Sequence, residues 1–336
     1  MKRFLPILLL IICLCISSCR AENKSSVSFF AMDTYMSIEA YGDNSAAVEN
    51  AKELVLKLEK SLAVNNEQSE IYALNHGKSA KLSAETCDLI RFALEICEKT
   101  DGALDPTIYP VLRAWGFTAG EYRVVEKNEL SELLKAVGSE KVKLKGNEIT
   151  LEAGAMLDLG AVAKGYASEK CAEILEENGV KSALINLGGN IQLVGSRPNG
   201  ESWKIGVANP KTEGNSEYVG VLSVSDCAVV TSGNYQRFFV ENGKEYGHII
   251  NPKTGIPVEN DLLSVTVISL DGKLCDALST ALFVMGAENA EKYWRENRDF
   301  EAVFITKNGE VRVTSGIFDK FKLDESAGYK LVKIDR

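Results

Sequence analysis

From Lys141 onward the chain reads as short β-prone runs broken by glycine-rich turns, and this texture most restricts its fold. The runs cover residues 183–187, 191–195, 203–207 and 218–224, after a Lys145-Gly146-Asn147 turn. Residues 237–240 and 246–250 flank Glu241-Asn242-Gly243, which predicts a hairpin. Two helical stretches interrupt the strands: 161–178, stopped by Gly179, and 276–285, stopped by Gly286. The first half carries helices instead: one capped by Asn44 and running to about Leu62, one over 83–99, and one over 128–137. Residues 29–41 are β-prone and broken at Met32-Asp33-Thr34. Strands in runs, with helices that do not strictly alternate, predict an α+β fold rather than a doubly wound sheet. No repeat or long linker divides the chain, so residues 29–336 read as one unit.

Of 336 residues, 45% are apolar and 25% charged, which fits a globular protein and excludes a disordered or multispanning one. Lys and Arg number 38 against 47 Asp and Glu, a net charge of −9. Nucleic-acid binding needs clustered basic charge, so no nucleic-acid partner is expected. The only histidines are His76 and His248, which argues against a multi-histidine zinc or iron centre.

Lys2 and Arg3 precede an apolar run over residues 4–16, then Ser17, Ser18 and Cys19. This order describes a secretory signal, and the run is too short to span a bilayer comfortably. Ile16-Ser17-Ser18-Cys19 resembles a bacterial lipobox, which implies cleavage before Cys19 and a lipid on its thiol; the alternative is plain secretion with an incidental cysteine. The expected layout is a signal peptide over 1–18, a lipidated Cys19 with a tether over 19–28, and one domain over 29–336. Such a lipoprotein is expected on the inner membrane facing the periplasm, with the outer membrane as the other location. Removing Lys2 and Arg3 and no acid takes the charge from −9 to −11. Cys87, Cys97, Cys171, Cys227 and Cys275 remain, an odd set without a C-x-x-C pair. Cys87 and Cys97 lie ~15 Å apart along one helix, too far for a disulfide, so buried free thiols are expected.

Five glycine-punctuated clusters carry the chemistry. Asp101-Gly102-Ala103-Leu104-Asp105-Pro106-Thr107 brackets a tight turn with two acids; a helix stop is the plainer reading. Leu157-Asp158-Leu159-Gly160-Ala161 ends a strand and opens a helix whose free N–H groups attract phosphate, with Lys164 adding charge; close strand–helix packing is the alternative. Gly188-Gly189-Asn190 is either a plain turn or a close backbone approach to a ligand. Ser232-Gly233 with Tyr235 and Arg237 precedes His248, which enters a loop through Pro252 to Gly255; loops set by sheets often hold catalytic groups, though a structural histidine reads equally well. Asp276 and Thr280, at i and i+4, project oxygens from one helix face, which would suit a hard cation; taken alone, a helix-start carboxylate favoured by the dipole is the preferred reading.

Together and in this order, these clusters resemble the ApbE family of flavin transferases, from Met32-Asp33-Thr34 to Met285. The resemblance implies a mixed, largely antiparallel sheet flanked by helices, with a flavin cleft between α/β parts. It implies FAD as substrate, Mg2+ on its pyrophosphate, and attack by a Thr or Ser hydroxyl of an acceptor flavoprotein. AMP then leaves, and FMN stays as a phosphoester. The acceptor would be a subunit of a membrane redox complex or a related extracytoplasmic flavoprotein. By motif, Met32, Ala103, Leu104, Asp105, Asp158, Lys164 and Ile250 would contact FAD, with Asn65 on the adenine side. The Ala161 carbonyl, Asp276 and Thr280 would hold Mg2+, and His248 would orient the reaction or act as base. Many relatives carry Tyr where Asn65 stands, which favours hydrolysis of FAD to FMN and AMP here. Some carry an acid where Ser279 stands, so this metal site holds less charge. A transferase is the first reading; a Mg2+-dependent FAD pyrophosphatase and a non-catalytic lipid-anchored flavin binder are the alternatives.

Overall fold

The computed structural model describes residues 23–77, 79–118, 120–211 and 216–336, so the signal and Cys19 lie outside the described residues. The helices are α1 Ser45–Leu62, α2 Glu70–Gly77, α3 Ala84–Lys99, α4 Tyr109–Trp115, α5 Lys127–Leu133, α6 Gly160–Glu177, α7 Gly272–Met285 and α8 Ala287–Glu296. The strands of the first half are β1 Lys24–Ala31, β2 Thr34–Tyr41, β3 Ser79–Lys81, β4 Val142–Lys145 and β5 Glu148–Leu151. Then follow β6 Ala183–Leu187, β7 Asn190–Val194, β8 Trp203–Ala208, β9 Tyr218–Val224, β10 Ala228–Ser232, β11 Phe238–Glu241 and β12 Lys244–Gly247. The last are β13 Leu262–Ser269, β14 Glu301–Thr306, β15 Glu310–Thr314, β16 Phe321–Leu323 and β17 Lys330–Ile334.

A nine-stranded sheet in the order β1-β2-β6-β7-β10-β13-β14-β15-β17 forms the body. Every neighbour in it pairs antiparallel except β15 with β17. The chain is therefore α+β, as the strand texture predicts. Central strands are buried on both faces because alternate side chains serve two cores. Ala302 and Phe304 of β14 join a core with α7 and α8. Val303 and Ile305 join the opposite core, against β8, β9 and β16. Amphipathic α1 buries Val48, Ala51, Val55, Leu58 and Leu62 at helical spacing in the third core, which also holds α6. A fourth, smaller core joins Trp115 and Phe117 near α4, Leu130 of α5, and Ile250.

The structure departs from the sequence reading in several details: helices α2 and α4 are not expected from the sequence, and the helix expected over 128–137 stops at Leu133. Residues 24–28, read as tether, are β1: Ser25, Val27 and Phe29 stand opposite Ala40, Ile38 and Met36 of β2. The helix carrying Asp276 opens at Gly272, capped by the Asp271 side chain accepting the Leu274 N–H at 2.9 Å. Asp276 thus sits in its second turn and not at its start. The hairpin strand before His248 ends at Gly247. The last half also contains α8, in addition to the two helices expected there. All five cysteines among the described residues are free and buried, as expected.

Candidate active site

One cavity of about 700 Å³ opens where the ends of the large sheet meet α6, α7 and the smaller Trp115 core. Met32, Asn65, Ala103, Leu104, Asp105, Asp158, Ala161, Lys164, His248, Ile250, Asp276 and Thr280 all line it. Segments spread over most of the chain therefore converge on one hollow. Cys19 lies outside the described residues. His76 is not among the residues that line the cavity; its ring stacks on Tyr72, with centroids 3.8 Å apart.

The β1–β2 turn carries Met32 and Asp33 at φ 48° and 58°, the backbone a two-residue hairpin of this kind demands. Neither is glycine, so the turn is held under strain, as happens at ligand sites. Glu59 of α1 holds it: Oε1 accepts the Met32 N–H at 2.6 Å. Gly188 locks the turn from the other side, since a Cβ there would stand 2.3 Å from Thr34 Cγ2.

Asp158 leads into α6. Its Oδ1 accepts the Gly160 N–H at 2.7 Å, and its own N–H donates to the Pro106 carbonyl at 2.8 Å, tying two clusters together. Burial raises its carboxyl above the usual range, against the Gly160 N–H and the charges of Lys164 and Arg237. Asn75 clamps the preceding residue, donating to the Leu157 carbonyl at 2.9 Å and accepting its N–H at 2.7 Å. Asp105 is buried, and its Oδ1 accepts the Thr107 N–H and hydroxyl at 2.8 and 2.6 Å. Lys253 spans to Asp101 at 2.5 Å, so the loop after His248 is tied to the turn after α3.

His248 faces the cavity from the end of the hairpin. Its backbone N–H and its Nδ1 both address the Arg237 carbonyl, at 3.0 and 3.1 Å. A carbonyl only accepts, so Nδ1 carries the proton and Nε2 keeps a lone pair. Burial, with the nearby Lys164 and Arg237 charges, pushes the imidazole down to about 4 against the pull of that carbonyl. The ring is neutral at physiological pH.

Asp276 is 4% exposed, yet no salt bridge reaches it among the described residues. Lys273, one turn earlier, is held by Glu169 at 2.9 Å and Asp271 at 3.2 Å. Asp276 Oδ2 instead accepts the Gly165 N–H at 2.8 Å. The helices meet this closely because Gly165 and Gly272 face each other; a Cβ on Gly165 would stand 2.3 Å from the Gly272 carbonyl oxygen. Thr280 Oγ1 lies 3.2 Å from Ser232 Oγ, itself 2.8 Å from Ser279 Oγ. A buried carboxylate with no cationic partner, beside hydroxyls, fits a hard dication. No cluster of three or more Asp, Glu, His or Cys forms among the described residues, so such a cation would complete its shell with carbonyl, substrate and water oxygens.

Sequence reasoning missed Glu59, Asn75 and Gly272. Glu59 lies among the other charges of α1, and Asn75 in a stretch without helical periodicity, so neither carries a local signal.

A sequence profile of the ApbE family matches residues 32–304. The chain belongs to the ApbE family. An FAD:protein FMN transferase of Treponema pallidum (strain Nichols) is 34% identical over 83% of this chain and 82% of its own length. One of Klebsiella pneumoniae (strain 342) is 30% identical over 91% of this chain and 96% of its own. In solved structures, the ApbE protein of Thermotoga maritima MSB8 superposes with a TM-score of 0.82 and 29% identity, covering 89% of this chain and 99% of that one. The flavin transferase ApbE of Vibrio cholerae gives 0.77 and 26%, covering 85% and 94%.

Proposed function

We propose that this ApbE-family chain transfers FMN from FAD to a Thr or Ser hydroxyl of an acceptor flavoprotein. The observation that carries this reading is the pairing, in one cavity, of a neutral His248 with a buried, unpaired Asp276 carboxylate. The acceptor oxygen forms a bond to the FMN-side phosphorus while the bond from that phosphorus to the bridging oxygen breaks. AMP leaves with the bridging oxygen. The hydroxyl proton passes to His248 Nε2, whose lone pair is kept free by the Nδ1 contact with Arg237. Asp276, Thr280 and the Ala161 carbonyl would hold Mg2+, which when bound neutralises pyrophosphate charge. Lys164 adds a fixed positive charge to the cavity wall. Met32, Ala103, Leu104, Asp105, Asp158 and Ile250 frame the dinucleotide, and Asn65 stands on the adenine side.

Asn65 favours a second reading. It is exposed at the rim and offers no ring for the adenine to stack on. Water then competes with the acceptor, giving FMN and AMP. Incubation with FAD, Mg2+ and an acceptor domain, followed by a denaturing gel, separates the two. A fluorescent acceptor band is expected; FMN and AMP without that band would leave only the hydrolase.

The proposed location rests on the N-terminal sequence alone. Cys19 carries the lipid, and the enzyme works on the periplasmic face of the inner membrane, where its acceptor is a subunit of a membrane redox complex or a related flavoprotein.

A further inference from the structure

Asn190 opens β7 directly after the Gly188-Gly189 turn and is 2% exposed. It lines the cavity. Its Oδ1 lies 3.0 Å from the Ser168 hydroxyl of α6, and that hydroxyl lies 3.0 Å from the Gly165 carbonyl. The Nδ2 amino group has no hydrogen-bond partner among the described residues. A buried donor with no acceptor is destabilising, and native proteins satisfy such a donor with protein, ordered water or a ligand; here the donor belongs to a residue that lines the cavity.

The surroundings say which oxygen. One turn of α6 separates Ser168 from Gly165, whose N–H is bound by Asp276. The amino group thus belongs to the same packed unit as the carboxylate proposed to hold the cation. An amide donor pairs most strongly with a charged oxygen. The turn before Asn190 is pinned against Thr34, so the carboxamide is preset. We propose that Asn190 Nδ2 donates to a non-bridging phosphate oxygen of the bound dinucleotide. This rests on the flavin-transferase reading of the cavity.

Binding without turnover tests it. The chain is titrated with FAD, FMN and riboflavin, following flavin fluorescence, in the absence of Mg2+ and of acceptor. Asn190→Asp keeps the shape and replaces the donor by a carboxylate. It should weaken FAD and FMN by about tenfold or more and leave riboflavin unchanged. Asn190→Ser, which keeps a small donor, should lose less, and it serves if the aspartate variant melts early. Equal loss for riboflavin and FAD, or no loss for either, would overturn the assignment. Phosphate-dependent binding that falls in Asn190→Asp, in a wild-type chain that labels no acceptor, would sink the transferase reading and leave Asn190 in place.

Discussion

Asp276 Oδ2 accepts the backbone N–H of Gly165 at 2.8 Å, across a helix crossing where neither Gly165 nor Gly272 has room for a Cβ. The carboxylate is therefore fixed by backbone, not by a charged neighbour. Its position depends on close packing of α6 on α7, and its charge stays available for a cation.

Asp276→Asn should keep the fold, because an amide oxygen still meets the Gly165 N–H, while Mg2+-dependent AMP release from FAD is lost. Asp276→Ala should also cost about 1–3 kcal/mol of stability, because it strands a buried N–H. Thr280→Val should lose less activity and recover part of it at high Mg2+. AMP release against Mg2+ concentration, with melting curves, checks all three. Full Asp276→Asn activity at low Mg2+ would remove the carboxylate from the metal site.

The site was legible in the sequence to the extent that its parts are local. Asp158-Leu159-Gly160, Gly188-Gly189-Asn190 and the His248 loop each carry their own turn chemistry. Residues acting across the fold left no trace: Glu59 answers Met32, and Asn75 answers Leu157 from the far side of the sequence. The β1 segment hid for a related reason. Its serines resemble a tether until β2 supplies the opposite face. The start of α7 was misjudged because Gly272 looks like a turn residue and is in truth the close-contact point with α6. Helix α8 follows Gly286 at once, so a C-terminal stop concealed a new N-terminus.

Glu59 is a positioning residue for the Met32 turn. Glu59→Gln can still accept the Met32 N–H, so FAD affinity should stay near wild type. Glu59→Ala removes the acceptor and should weaken FAD by about fivefold to thirtyfold, in line with a net hydrogen bond of ~1–2 kcal/mol. Equilibrium titration with FAD measures it, and equal affinities in both variants would detach Glu59 from the flavin turn.

Asn65→Tyr puts a ring at the rim. FAD should bind tighter by about 0.5–1.5 kcal/mol of stacking, and hydrolysis to FMN and AMP should fall relative to acceptor labelling. The checks are the FAD dissociation constant and the ratio of labelled acceptor to free FMN. If neither moves, Asn65 is outside the adenine side.

Cys19→Ala should yield protein that leaves the membrane fraction and keeps its activity in solution. Fractionation after salt washing decides; a variant that stays membrane-bound rules out the lipid anchor.

His248 gives the pH dependence its sign. The folded chain holds the imidazole near 4, against 6.5 ordinarily. As pH falls between these values the unfolded chain takes up a proton and the native chain does not. Stability contributed by the neutral ring is therefore present above about 6.5 and is lost progressively down to about 4. Catalysis follows the native value. The free enzyme keeps Nε2 as an acceptor well below neutrality, so the acid limb of kcat/KM due to this group should lie near 4. Nitrogen chemical shifts of His248 against pH test the protonation directly, with Nδ1 the protonated nitrogen at pH 7. His248→Ala should slow transfer by ~10²–10⁴, the range for a lost general base. His76→Ala should leave transfer unchanged, since that ring stacks on Tyr72 and does not line the cavity. A His248 titration near 6.5 with an acid limb to match would contradict the buried neutral ring, and full turnover in His248→Ala would take the base out of the mechanism.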